Sequence, residues 1–139
     1  YPGVKTFLAS CRTECRGKGY VRDMGGMYRY LPGIWSKDRA IAAEAGRQAH
    51  SHVIQGSAQW LIHLSMSWLR PQIEELRRSS GMWVRWLLQI HDDLLFGFDK
   101  RLVGVMDPLV TEALTEHSYK LRVPIEANGV WGESWGVLK

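Results

Sequence analysis

The stretch Leu87-Leu88-Gln89-Ile90-His91-Asp92-Asp93-Leu94-Leu95-Phe96 limits the folds open to this chain more than any other. Two apolar runs of strand length flank a polar triplet. That pattern predicts strand, tight turn, strand, with His91-Asp92-Asp93 at the tip. Adjacent carboxylates raised on such a tip repel each other, so a divalent cation or a strong basic neighbour is their natural partner. Phosphate chemistry is the first expectation.

The surrounding segments predict a mixed architecture. Residues 2–16 form an amphipathic helix: Pro2 suits its first turn, Val4, Phe7, Leu8, Cys11 and Cys15 recur at helical spacing, and Gly17 and Gly19 end it. Tyr20-Val21 and Tyr28-Arg29-Tyr30-Leu31, separated by Met24-Gly25-Gly26-Met27, predict a short hairpin closed by Pro32-Gly33. Ser36 or Asp38 caps a second helix through Ala40, Ala42, Ala43 and Ala45, which Gly56 interrupts or bends. A third helix begins near Ser57 with a stripe at Ile62, Met66, Leu69, Ile73 and Leu76, kinked or restarted at Pro71. Ser79-Ser80-Gly81 is a loop, and the His-Asp-Asp hairpin covers 83–98. A helix from about Lys100 to Ser118, strained or broken near Pro108, precedes a strand from Leu121 to Glu126 and a Gly- and Trp-rich tail. This order is α+β with an antiparallel sheet.

Size and charge narrow the function. At 139 residues the chain is one domain or part of one. No apolar run approaches the ~20 residues of a membrane span, so no membrane partner is expected. The N-terminus has no signal-peptide pattern and does not begin with Met, as in a processed product or a piece of something longer. Cys11 and Cys15 share a helix face, but no further Cys or nearby His completes a metal set, so both are expected as reduced thiols of an intracellular protein. Residues 1–47 carry nine Lys/Arg against four Asp/Glu, while the remainder carries nine against ten. A basic front beside a carboxylate-bearing back suits a surface that grips a polyanion and keeps acidic groups for a metal.

Five segments together resemble the C-terminal part of family A DNA polymerases, the bacterial DNA polymerase I type. They are Tyr1-Pro2-Gly3-Val4, the hairpin pieces Gly19-Tyr20-Val21 and Tyr30-Leu31-Pro32-Gly33-Ile34, Arg47 with Gln55-Gly56-Ser57-Ala58, Gln89-Ile90-His91-Asp92-Asp93-Leu94, and Glu133-Ser134-Trp135-Gly136. The resemblance implies an incomplete polymerase right hand, with an antiparallel palm sheet packed against long helices. Residues 1–35 would be the C-terminal part of the fingers with its connecting hairpin, and 36–139 the palm segment. It implies that Asp92 binds the two catalytic Mg²⁺ ions, which phosphoryl transfer places about 3.5–4 Å apart. Asp93 stands where Glu is usual, in a supporting role, and His91 matches a contact to the primer terminus. Arg47 and Gln55, with Ser51 between them, match a surface on the primer–template minor groove, where acceptors report pairing geometry rather than sequence. Positions 47, 51 and 55 stack on one helix face. Primer–template DNA and dNTP are the implied partners.

Departures from the family pattern are specific. Ser51 replaces Asn and reaches less far, Met27-Tyr28 replaces two Arg, Gln59-Trp60 replaces Ala-Asp, Gly97 replaces an acidic residue, and Gly46 replaces Glu. The family's other metal-binding Asp and its nucleotide-binding fingers helix have no counterpart here. The implied partners therefore include a missing polymerase segment, in the same parent chain or a separate subunit, and the chain alone is expected to be inactive. The compartment is open: bacterial or viral cytoplasm, nucleus or organelle. Tyr28 and Tyr30, alternating with Arg29, suit sheet packing or a DNA contact; His50, His52 and His63 suit surface or packing roles. Two rivals remain: a non-catalytic nucleic-acid-binding remnant, and a His-Asp metal phosphohydrolase, which would need several separated His ligands.

Overall fold

A computed structural model describes residues 1–116 and 121–138. In chain order the elements are helix α1 (Pro2–Lys18), strands β1 (Tyr20–Arg22) and β2 (Tyr28–Tyr30), a 3-10 turn (Pro32–Trp35), helix α2 (Arg39–Ser80), strands β3 (Val84–Ile90) and β4 (Asp93–Phe98), a 3-10 turn (Lys100–Leu102), helix α3 (Val103–Thr115), and a last 3-10 turn (Trp135–Val137). Among the described residues both sheets are two-stranded antiparallel hairpins, β1–β2 and β3–β4. The chain divides into two units, Tyr1–Trp60 and Leu61–Lys139, and α2 contributes residues to both. No described helix is long and apolar enough to cross a membrane.

In the first unit, α1 runs through Gly17 and ends at Gly19, whose φ of 77° supplies the left-handed cap that glycine adopts without strain. Cys11 and Cys15 are buried free thiols, and burial pushes both up in pKa. Val4 and Phe7, expected on the buried stripe, are exposed instead. Asp38 caps α2, its Oδ1 accepting from Ala40 N at 2.7 Å. The core joins Cys15, Val21, Leu31, Ile34, Ala45 and Ala49.

The expected break at Gly56 is absent, and no third helix starts at Ser57: α2 is continuous from Arg39 to Ser80. The reason is the β1–β2 turn, which docks along a stripe of α2. His52 Nε2 lies 3.3 Å from Met27 O, and Met24 N donates to the buried Ser57 Oγ at 3.0 Å. Trp60 covers Gly25, where a Cβ would lie 2.3 Å from the indole. Gly56 faces Asp23, whose Oδ2 would be 2.8 Å from a Cβ at 56. The glycine is therefore selected by close approach rather than by helix ending. Ser57 is not a cap but a mid-helix residue, its hydroxyl also donating to Val53 O.

In the second unit, Leu69, Ile73, Val84, Leu102, Met106 and Ala113 form the core, with Leu94, Phe96 and Phe98 packed against it. Pro71 neither restarts nor ends α2. Pro71 and Ser67, four residues before it, are both exposed, so the carbonyl that loses its partner faces water. Pro108 in α3 and Gly104 repeat that arrangement. Ser79 and Ser80 are helical rather than loop, and Gly81, at φ 65°, makes the exit. α3 ends at Thr115; the expected extension to residues 117–118 lies outside the described residues. Leu121 to Glu126 is irregular rather than a strand: Pro124 has no N–H to donate, and Leu121 and Val123 are exposed.

Candidate active site and nucleic-acid contacts

The β3–β4 hairpin is built around one irregularity. Val84, Arg85 and Trp86 pair with Phe98, Gly97 and Phe96, whereas Leu88, Gln89 and Ile90 pair with Leu95, Leu94 and Asp93, so Leu87 is an inserted residue. Trp86 Nε1 bridges this bulge by donating to Leu88 O at 3.2 Å, and its ring lies 4.8 Å from that of Phe96. The insertion moves the later residues by one register step. Gln89 therefore shares the core-side face with Leu94, and Ile90 shares the opposite face with Asp93. Nothing in the alternating pattern of the sequence marks that switch.

The turn itself is two residues, His91-Asp92, rather than the whole triplet; Asp93 opens β4 opposite Ile90. His91 takes φ 55°, the only non-glycine positive φ among the described residues. A two-residue hairpin loop needs such a conformation at its first position, where glycine would be free of strain. A bulky residue there stores strain of the kind that accumulates at functional positions. Gln89 Nε2 steadies the turn by donating to His91 O at 3.1 Å. All three of His91, Asp92 and Asp93 are exposed. Among the described residues neither carboxylate makes a hydrogen bond or an ion pair, so both remain available to an outside cation.

Two carboxylates suit Mg²⁺, a hard cation usually held by one or two carboxylates together with substrate phosphates. The described residues contain no cluster of three or more His, Cys, Asp or Glu able to hold a metal by themselves. A groove of about 570 Å³, lined among others by Arg70, Arg77, Arg85 and Trp86, sits at the far end of the hairpin from the carboxylates.

Arg47, Ser51 and Gln55 lie on α2 in the first unit. Each is two residues from a member of the core-facing series Ala45, Ala49 and the partly buried Val53, hence roughly 200° around the helix and on its outer side. Arg47 and Gln55 are exposed and Ser51 is half-buried. Arg47 donates from Nε and Nη2 to Glu44 Oε2, at 2.9 and 2.5 Å. Glu44 also accepts from Gln48 at 3.0 Å, and Gln48 accepts from Arg29 of β2 at 3.3 Å. The Gln48 amide first, and then Arg47, hold the Glu44 carboxyl below its usual range. An exposed pair of this kind is weak, so breaking it costs Arg47 little. Sequence reasoning missed this polar chain. Its signal was Glu44 standing three and four residues before Arg47 and Gln48.

The chain belongs to DNA polymerase family A, whose profile matches residues 1–137. It is 33% identical over 135 residues to DNA polymerase I of Bacillus subtilis (strain 168), and equally to the thermostable DNA polymerase I of Thermus aquaticus. Each alignment covers 97% of this chain and only 15% of the relative. Among solved structures, the POL domain of Pol1 from M. smegmatis, in complex with DNA primer-template and dNTP, superposes with a TM-score of 0.77 at 33% identity. That match covers 91% of this chain and 21% of the other. The α+β fold, with antiparallel hairpins on long helices, is thus part of a polymerase domain, as expected from the sequence.

Proposed function

We propose that this chain supplies the C-terminal fingers (1–35) and palm (36–139) of a template-directed DNA polymerase, which transfers a nucleotide from dNTP to a primer 3′-hydroxyl by a two-metal mechanism inside the cell. The observation that carries this reading is the exposed, unpaired Asp92–Asp93 carboxylate pair on a bulged hairpin, in a chain of polymerase ancestry. Bound Mg²⁺ would supply Lewis-acid activation of the hydroxyl and neutralisation of the triphosphate. Asp92, its backbone placed by the turn, offers a short carboxylate side chain with few rotamers to order, and Asp93 supports it from the first position of β4. His91, held by its own backbone geometry and by Gln89, faces solvent where a primer terminus would lie. Arg47, Ser51 and Gln55 donate to minor-groove acceptors common to all correctly paired steps.

A further polymerase segment is proposed to complete the site, and the chain alone is proposed to be inactive; the lack, among the described residues, of any cluster of three or more metal-ligating side chains is consistent with both. Primer extension tests the proposal. The 139-residue chain should extend nothing, whereas Bacillus subtilis DNA polymerase I with its matching 135 residues replaced by this chain should extend a primer. A correctly folded chimera that binds primer–template but extends nothing would favour the alternative of a non-catalytic, nucleic-acid-binding remnant.

A further inference from the structure

The β1–β2 hairpin presents a surface that the polymerase chemistry does not use. Its register pairs Tyr20 with Tyr30 and Arg22 with Tyr28, so these four side chains share one face. Val21 and Arg29 occupy the other, Val21 in the core and Arg29 on Gln48. The four-residue face is therefore the one turned from the core. Tyr28 and Tyr30 are 50% and 72% exposed, bulky rings that contribute little to burial. Their centroids lie 6.3 Å apart at an interplanar angle of 20°, nearly parallel. Tyr20 buttresses both edge-on, at 5.1 and 5.6 Å. The Arg22 guanidinium carbon stands 5.6 Å from the centroid of the Tyr28 ring.

We infer that this face is a stacking platform for the unpaired bases of single-stranded nucleic acid. Two parallel, solvent-facing rings offer successive bases π-surfaces regardless of sequence, and the adjacent arginine adds cation–π and phosphate contacts. Charge points the same way. From Arg16 to Tyr30 the chain carries four basic residues against one acid, Asp23. That acid is committed elsewhere: its Oδ1 accepts from Met27 N at 2.9 Å and its Oδ2 faces Gly56 of α2. Duplex DNA keeps its bases stacked inside and is a poor occupant. The platform extends the nucleic-acid side of the polymerase reading without resting on the carboxylates.

Fluorescence anisotropy of the 139-residue chain, in chelator and without nucleotide, tests it apart from any catalysis. The probes are a labelled oligothymidylate of about 12 nucleotides and an abasic oligomer of equal charge. The base-bearing strand should bind on the order of a hundredfold more tightly, about tenfold from each ring. Tyr28→Leu and Tyr30→Leu, which keep an apolar side chain but remove the π-face, should each lose about tenfold for oligothymidylate and nothing for the abasic strand. Tyr30→Phe should retain wild-type binding. Far-UV circular dichroism checks the fold, and if Tyr28→Leu loses it, the more exposed Tyr30→Leu carries the comparison. Equal affinity for the two strands would overturn the inference. So would undiminished binding by folded Leu variants, or equal competition by blunt duplex. Failure of primer extension with base-dependent binding intact would remove the polymerase reading alone.

Discussion

Helix α2 contains a matched experiment in two glycines, because Gly46→Ala and Gly56→Ala make the same chemical change in the same helix. Helix propensity alone favours each alanine by about 1 kcal/mol. At position 46 the new Cβ would sit 3.5 Å from Arg12 Cγ and Nε, ordinary contact, so the gain is kept. At position 56 it would sit 2.8 Å from Asp23 Oδ2, 3.1 Å from Asp23 Cβ and 3.2 Å from His52 Cε1. Asp23 is not free to yield. Its Oδ1 holds Met27 N at 2.9 Å, and its backbone bonds Met27 O and Gly26 N at 3.1 Å each. Displacing it sacrifices at least one hydrogen bond to a charged acceptor, a loss of about 1.5–3 kcal/mol. The expected outcomes are a gain of about 1 kcal/mol for Gly46→Ala and a loss of about 0.5–2 kcal/mol for Gly56→Ala. Urea unfolding followed by circular dichroism, with a common m-value, reads both. If Gly56→Ala proves as stable as Gly46→Ala, the hairpin turn is not docked on the helix at that point.

Three further outcomes are expected. Asp99 accepts from the backbone N, Nε and Nη2 of Arg101, and these bonds, the side-chain one foremost, hold its carboxyl far below the usual range. A depressed folded-state pKa stabilises above the unfolded value, near 4, and the stabilisation fades as pH falls through the folded one. The stability difference between wild type and Asp99→Asn should therefore be constant at neutral pH and shrink below about pH 4 in melting experiments. His91→Gly removes the strain at φ 55° while keeping the carbonyl that Gln89 bonds. It should leave stability unchanged or raise it by up to about 1 kcal/mol, while lowering extension by the chimera; marked destabilisation would mean the histidine side chain holds the turn. Arg47→Ala should weaken primer–template binding by the chimera to a similar degree on all sequences, and a loss confined to some of them would contradict the minor-groove role.

Much of the architecture was legible because its signals are local. Gly19, the Gly25-Gly26 turn, the Asp38 cap and the apolar runs around His91-Asp92-Asp93 each fix backbone geometry within a few residues. What misled was punctuation whose meaning depends on distant partners. Gly56 reads as a helix break until Asp23 is seen packed on it, and Pro71 and Pro108 read as breaks although water serves the carbonyls they orphan. Leu121 to Glu126 has strand-like residues but Pro124 in the middle, and no partner strand among the described residues. The Leu87 bulge was hidden because an inserted apolar residue in an apolar run leaves no trace in the pattern. For the candidate site, the turn that carries Asp92 was visible in sequence. The strain at His91 and the Glu44–Gln48–Arg29 chain behind Arg47 needed the structure.

The most direct test is primer extension by the Bacillus subtilis chimera carrying Asp92→Ala, measured beside its affinity for primer–template. Loss of a metal-binding carboxylate should remove several kcal/mol of transition-state stabilisation, a fall in rate of about a thousandfold or more, with DNA binding nearly intact. Extension at the rate of the unsubstituted chimera would contradict the assignment of Asp92 to the metal site.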